Sequence, residues 1–167
     1  MADLRIETRD RVGLAMIMAR KGVGADRIGA ALGLDPPTSP ARCVSANGVS
    51  LIGAGPGSWL AYANEVSPFW ADDLRRRLDG LASVSDQSSG YAIVRLSGEG
   101  ARIVLQRGMP IDLHPDVFGP GSAATTVISY VGAIVWQLDD QPTYEVATFR
   151  SFSGSFRHWL DQAAAAL

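Results

Sequence analysis

Among 167 residues there is one cysteine, Cys43, and there are two histidines, His114 and His158. A single thiol excludes an intrachain disulfide and a cysteine-rich zinc cage, and it fits a reducing compartment. Two histidines without a HExxH spacing or a third ligand nearby give no metal site, so both are expected in surface or turn positions. An excess of one charge is missing as well: 15 Lys and Arg stand against 17 Asp and Glu, a net charge of −2. No field of that size draws nucleic acid or an anionic membrane, so neither is expected as a partner. The one dense basic run, Arg75–Arg76–Arg77, is flanked by Asp72, Asp73 and Asp79 and reads as a solvated helix face with local ion pairs. Long apolar runs are absent too. Val12–Ala19 is short, follows Asp3, Glu7 and Asp10, and ends on Arg20–Lys21. That is neither a signal peptide nor a membrane span, and the expectation is a cytoplasmic protein.

What is present suffices for a core: 47% of the residues are apolar and 19% charged. One globular unit over 1–167 is expected, with internal halves at about 10–81 and 84–167. Val12–Ala19 suits a buried strand. Gly24–Leu32 suits a helix stopped by Gly33, with Pro36–Pro37 beyond it. Asn47–Gly48 separates two β-rich runs, Arg42–Ala46 and Val49–Gly53, and predicts a tight hairpin. Ser67–Pro68 opens a second helix whose apolar face is Trp70, Leu74, Leu78 and Leu81. In the second half, Tyr91–Leu96 reads as a strand and Ser97–Gly98 leads a helix to about Arg107. Two β-rich runs follow, Thr125–Val131 and Ala133–Leu138, then a strand over Thr143–Phe149. A last helix starts near Ser153, with Phe156, Trp159, Leu160 and Ala163 on one side. Both halves follow the order strand, helix, strand, strand, helix, the second with an extra hairpin. The fold class is therefore α+β, two ferredoxin-like βαββα halves, with antiparallel sheets and helices on one face.

The stretch Leu51–Ala61, LIGAGPGSWLA, has the look of a dinucleotide fingerprint. Such a fingerprint needs a third glycine, a helix directly after the turn, and an acidic residue about 20 positions on at the end of a second strand. Gly53 and Gly55 fit, but the third position is Ser58, and the chain beyond Trp59 reads as running into a helix with no second β-rich segment. The run is expected to be a plain turn, which leaves an independent flavin or nicotinamide enzyme without support. No Gly-x-Ser-x-Gly elbow or nucleophile–base pair emerges elsewhere. Cys43, at a strand start, reads as a small buried side chain. Asp112 and Asp116 are placed to pair with His114 in DLHPD. SDQSSGY, Ser85–Tyr91, reads as a specified loop rich in turn formers, with a polar ligand-binding lip as its functional alternative.

Several of these segments together resemble the gamma subunit of heterotetrameric sarcosine oxidases. The likeness is strongest from VSDQSSGYAIVRLSGEG through SFSGSFRHWL. A Gly-Pro-x-x-Trp-Leu pattern falls on Gly55, Pro56, Trp59 and Leu60, and Asp-Gln-Ser falls on Asp86, Gln87 and Ser88. The helix start falls on Ser97, Gly98, Ala101 and Leu105, and Pro-x-Asp-Leu-His-Pro on Pro110, Asp112, Leu113, His114 and Pro115. Gly57 and Ser58 stand where a bulkier polar pair is expected.

The resemblance implies a fold similar to the folate-binding domain of glycine-cleavage aminomethyltransferases. It also implies a subunit without catalytic residues or a cofactor of its own. FAD, FMN, NAD, zinc and tetrahydrofolate would sit on alpha, beta and delta partner subunits of a complex that demethylates sarcosine. The alternative is a stand-alone folate or one-carbon binding protein, for which Asp86, Ser88 and Tyr91 are the candidate pocket residues. As an interaction subunit the chain would use aromatic anchors, and Trp59, Phe69, Phe118 and Trp136 are the candidates, each of which can equally serve the core.

Overall fold

The computed structural model describes residues 3–167. In chain order the elements are β1 (Arg5–Arg9), β2 (Gly13–Ala19), α1 (Ala25–Leu32), β3 (Cys43–Ala46), β4 (Val49–Gly55), β5 (Ser58–Ala63), α2 (Trp70–Arg77), β6 (Ala82–Asp86), β7 (Tyr91–Ser97), α3 (Glu99–Gln106), β8 (Ala123–Ile128), β9 (Val131–Asp139), β10 (Thr143–Phe149) and α4 (Ser153–Ala165). The fold is α+β. Its strands form two five-stranded sheets, β3-β4-β5-β2-β6 and β1-β7-β10-β9-β8, with antiparallel neighbours throughout. The chain divides into two compact units. One is Asp10–Ser89; the other is Gly90–Leu167 together with the N-terminal segment through Arg9.

In the Asp10–Ser89 unit, alternate residues of the sheet, Ala15, Ile17, Leu51, Trp59 and Ala61, pack against Ile28 and Leu32 of α1 and against Leu74 and Leu78 at α2. Strand residues of the opposite parity, Leu14, Ile52, Leu60 and Tyr62, are buried as well. Helix α1 stops where Gly33, at φ 75°, returns its N–H to the Gly29 carbonyl at 2.8 Å. The Arg77 guanidinium closes the same helix end, donating to the carbonyls of Ala31 at 3.1 Å and Leu32 at 2.9 Å. Its neighbours Arg75 and Arg76 pair with Asp72 and Asp73 on the exposed face of α2. The Asn47–Gly48 hairpin forms as predicted, at φ 54° and 77°.

In the other unit, Val94, Leu96, Val135, Tyr144 and Val146 face Ala101, Val104 and Leu105 of α3 and Phe156 and Leu160 of α4. The proline-rich loop after α3 adds Met109, Leu113 and Phe118 to the same core. On the opposite side of this sheet the cross-strand register aligns Glu7, Arg95, Glu145 and Trp136 in one row. Glu145 is fully buried, and Arg95 donates to its Oε1 through Nε at 2.9 Å and through the terminal nitrogen.

Several elements differ from the sequence reading. The chain after Trp59 does not enter a helix at once: Ser58–Ala63 is a strand, buried from Trp59 onward. Ala82–Asp86 and Arg5–Arg9 are further strands that the sequence reading lacked. Each unit therefore has three strands between its helices. Helix α2 begins at Trp70, and Ser67 lies in the preceding turn, accepting from the Phe69 N–H at 3.3 Å rather than capping the helix. The run Thr125–Val131 is broken by a two-residue turn at Ser129–Tyr130.

Candidate functional site

The glycine-rich stretch is a hairpin. Strand β4 ends in a bulge between Gly53 and Gly55, Pro56–Gly57 make the turn, and β5 returns antiparallel. The turn is tied to β2 by the Ala19 N–H, which donates to the Gly57 carbonyl at 2.8 Å. Gly53 has a different duty. A Cβ there would lie 2.2 Å from the Ser39 carbonyl oxygen and 2.9 Å from the Pro40 Cα, so the backbone of the 37–42 loop runs directly across the strand. The loop is held by the Trp59 indole N–H donating to the Pro37 carbonyl at 2.8 Å and by the Gly53 N–H donating to the Arg42 carbonyl at 3.0 Å. Gly55, Pro56 and Trp59 thus fix one hairpin and one crossing loop, while Leu60 packs on the other side of the strand.

Asp86, Gln87 and Ser88 form a lock at the end of β6. The Asp86 carboxylate accepts from the Ser88 hydroxyl at 2.6 Å and from its N–H at 2.9 Å. The same serine oxygen accepts from the Leu14 N–H at 3.0 Å, and the Gln87 N–H donates to the Leu14 carbonyl at 2.7 Å. The Ser88 hydroxyl, then its N–H, holds the Asp86 carboxyl below the usual carboxylate range, with Arg75 adding a smaller effect in the same direction. Asp86 and Ser88 line a depression of about 340 Å³ with Arg11, Ser89 and Trp70. The Trp70 indole lies against the backbone of Gly13, where a Cβ would come within 2.4 Å of the ring. Tyr91, the third of the candidate pocket residues, does not line this depression. Its ring lies on Phe149, centroids 4.9 Å apart, at a shallow apolar hollow with Ile134 and Ala147, and burial pushes its phenol up.

The remaining motif positions are equally engaged in holding the chain. Gly98, at φ 93°, has the Asp3 carbonyl 2.5 Å from where a Cβ would sit, and that carbonyl accepts from the Gly100 N–H at 2.8 Å at the start of α3. Leu105 is a core residue of that helix. Asp112 accepts from the His114 N–H at 2.8 Å, and the His114 carbonyl closes the next turn by accepting from Phe118 at 2.8 Å. The His114 ring is exposed, with Nδ1 3.5 Å from Asp116. His158 is exposed on α4 and Cys43 is buried at the start of β3. Among the described residues no group of three His, Cys, Asp or Glu side chains is arranged for a metal, and no helix is long and apolar enough to cross a membrane.

Of the candidate interface aromatics, Trp59, Phe118 and Trp136 belong to the interior, and only Phe69 is exposed. The sequence reading missed three others that reach solvent: Phe149, Phe152 and Tyr130, the last with its whole surface exposed. Tyr130 sits at the tip of the β8–β9 hairpin beside a depression of about 420 Å³ lined by Arg107, Met109, Pro110 and Trp159. The Arg107 guanidinium is committed to the end of α4, donating to the Ala163 carbonyl at 2.7 Å and the Ala166 carbonyl at 3.0 Å.

Comparison with known proteins gives a consistent pattern. The family model described as "Sarcosine oxidase, gamma subunit family" matches residues 19–166. The sarcosine oxidase subunit gamma of Corynebacterium sp. (strain P-1) is 32% identical over 119 residues, 71% of this chain and 58% of that protein. The chain thus spans little more than half the length of that relative. The subunit gamma of an Arthrobacter species is 31% identical over 155 residues, 92% of this chain and 74% of the relative. Among solved structures, a chain of the heterotetrameric sarcosine oxidase of Corynebacterium sp. U-96 superposes with a TM-score of 0.86 at 25% identity, covering 98% of this chain and 84% of that one. Aminomethyltransferase T of the Bartonella henselae glycine cleavage system shares the fold, at a TM-score of 0.71 and 14% identity, over 95% of this chain and 45% of that chain. A match that runs over nearly the whole chain in sequence, and again in three dimensions, settles where it stands: this chain belongs to the sarcosine oxidase gamma subunit family.

Proposed function

We propose that the chain is a non-catalytic subunit of a heterotetrameric sarcosine-oxidase-type flavoenzyme complex, contributing to assembly. The observation that carries this reading is the 0.86 TM-score over 98% of the chain with a component of such a heterotetramer. The motif residues support it in a second way. Trp59, Asp86, Ser88, Gly98 and Asp112 are occupied in fixing loops and strand ends, which accounts for their pattern without any chemistry. In this reading FAD, FMN, NAD, zinc and tetrahydrofolate belong to alpha, beta and delta chains, and the complex oxidatively demethylates sarcosine and passes the one-carbon unit to the folate. The test is coexpression of a tagged full-length chain with the other three oxidase chains, followed by capture, subunit quantification and a visible spectrum. Yellow material with all four chains in equal amounts is expected. A colourless chain recovered alone overturns the reading.

A further inference from the structure

Two hairpins of this protein have the same kind of two-residue turn and opposite chemistry. Asn47–Gly48 turns at φ 54° and 77°, using the residues that tolerate the left-handed region best. Ser129–Tyr130 turns at φ 46° and 69° with two residues that do not, one of them an aromatic with no intramolecular cover. The fold holds the backbone of this turn, the Ser129 N–H donating to the Gly108 carbonyl at 3.0 Å, but nothing in it covers the Tyr130 ring.

The strand leading into this tip adds an independent observation. β8 is the last strand of its sheet, with β9 as its one neighbour. Its sequence, Ala-Ala-Thr-Thr-Val-Ile, contains no charge and no proline, and Thr125 and Val127 are exposed. The strand at the other edge, β1, carries Arg5, Glu7 and Arg9. Charged edges resist pairing with foreign strands; an uncharged, β-prone edge invites it. One border of this sheet is guarded and the other is open.

We infer that the open border, β8 with Tyr130 as its anchor, is where another polypeptide of the oxidase complex docks. This rests on the subunit reading above. The occupant is a protein chain because an open strand edge offers backbone N–H and C=O groups, which another backbone complements. Arg107, the cation lining the hollow beside the tip, is committed to the Ala163 and Ala166 carbonyls rather than offered to a phosphate or a lipid headgroup. The partner is expected to receive the tyrosine ring in an apolar pocket with an acceptor for its hydroxyl, and to fill the hollow beside it against Met109, Pro110 and Trp159.

The test compares full-length variants coexpressed with the other oxidase chains. Tyr130→Ser removes the anchor, Thr125→Lys places an ammonium on the open edge, and Ser129→Asn with Tyr130→Gly relaxes the turn. Each is expected to weaken assembly at least about tenfold in Kd. The relaxed turn is also expected to raise the Tm of the free chain by a few degrees, so its loss of assembly is not a loss of folding. If the unaltered chain assembles and any of these variants assembles equally well, the docking inference falls while the subunit reading stands. If the unaltered chain does not assemble, both fall.

Discussion

Replacing Gly53 with alanine tests whether the glycine-rich stretch is a scaffold. The added Cβ meets the Ser39 carbonyl oxygen at 2.2 Å, the Ser39 carbonyl carbon at 2.8 Å and the Pro40 Cα at 2.9 Å, all backbone atoms. The loop cannot simply lift away, because Trp59 holds it at the Pro37 carbonyl and the Gly53 N–H holds it at the Arg42 carbonyl. Forcing a methyl into such a site costs about 1–3 kcal/mol, and each hydrogen bond surrendered adds about 1 kcal/mol. A total near 3 kcal/mol corresponds to a Tm lower by about 6–12 °C for a chain of this size. Gly48→Ala is the control: its φ is 77° but nothing lies within 4 Å, so only conformational strain is felt. That strain amounts to about 1 kcal/mol, or about 2–4 °C. The assay is a thermal melt of the purified chain, followed by far-ultraviolet circular dichroism or calorimetry at pH 7. A Gly53→Ala shift no larger than that of Gly48→Ala would refute the reasoning, because the crossing loop would then not be pinned against the strand.

Other expectations concern charge and protonation. Arg95→Ala is expected to lose about 3–5 kcal/mol in urea unfolding, since it strands the fully buried Glu145 carboxylate, while replacing both partners with methionine costs less. Asp86→Asn should narrow its stability deficit as the solution is acidified. The Asp86 carboxyl is held low in the folded chain, so its contribution is present above the unfolded value and is lost as pH falls through the lower folded one. Denaturant midpoints of the two proteins at pH 7 and below about pH 3 are expected to differ and then converge. Tyr144 runs the opposite way. Burial raises its phenol, opposed by the Arg102 guanidinium at 3.2 Å, so the stability it contributes is present at neutral pH and drains away above about pH 10. Tyr144→Phe is expected to flatten that alkaline loss in melts taken from pH 9 upward.

The parts of the fold legible in the sequence are those with a local signal. Gly33 and Asn47–Gly48 announce a left-handed stop and a hairpin, and the structure has both. Thr143–Phe149 is bounded by turn residues, and the strand occupies that range. Ser58–Ala63 was illegible because its residues from Trp59 on are buried on both faces, so no period of two survives. Arg5–Arg9 alternates well, yet its partner is β7, far away in sequence, and no short window contains that pairing. Ser129–Tyr130 was read through because neither residue favours the positive φ that both positions of such a hairpin turn require. Of the candidate pocket residues, Asp86 and Ser88 are close in sequence and meet. Tyr91 follows soon after along the chain, but the boundary after Ser89 places it in the other unit.

That boundary has a further side. β1 is made first, but it belongs to a sheet whose other strands follow Gly90. On a growing chain the Asp10–Ser89 unit has all of its strands before β7 appears, while β1 waits with nothing to pair against. Closing a long loop costs entropy, and a loop already condensed into a folded unit costs less than an open one. The early unit thus serves as a spacer that returns Arg9 towards Ile93, and the second sheet gains its charged border only once β7 has been made. A mutation that slows folding of Asp10–Ser89 should delay completion of a sheet to which none of those residues belongs.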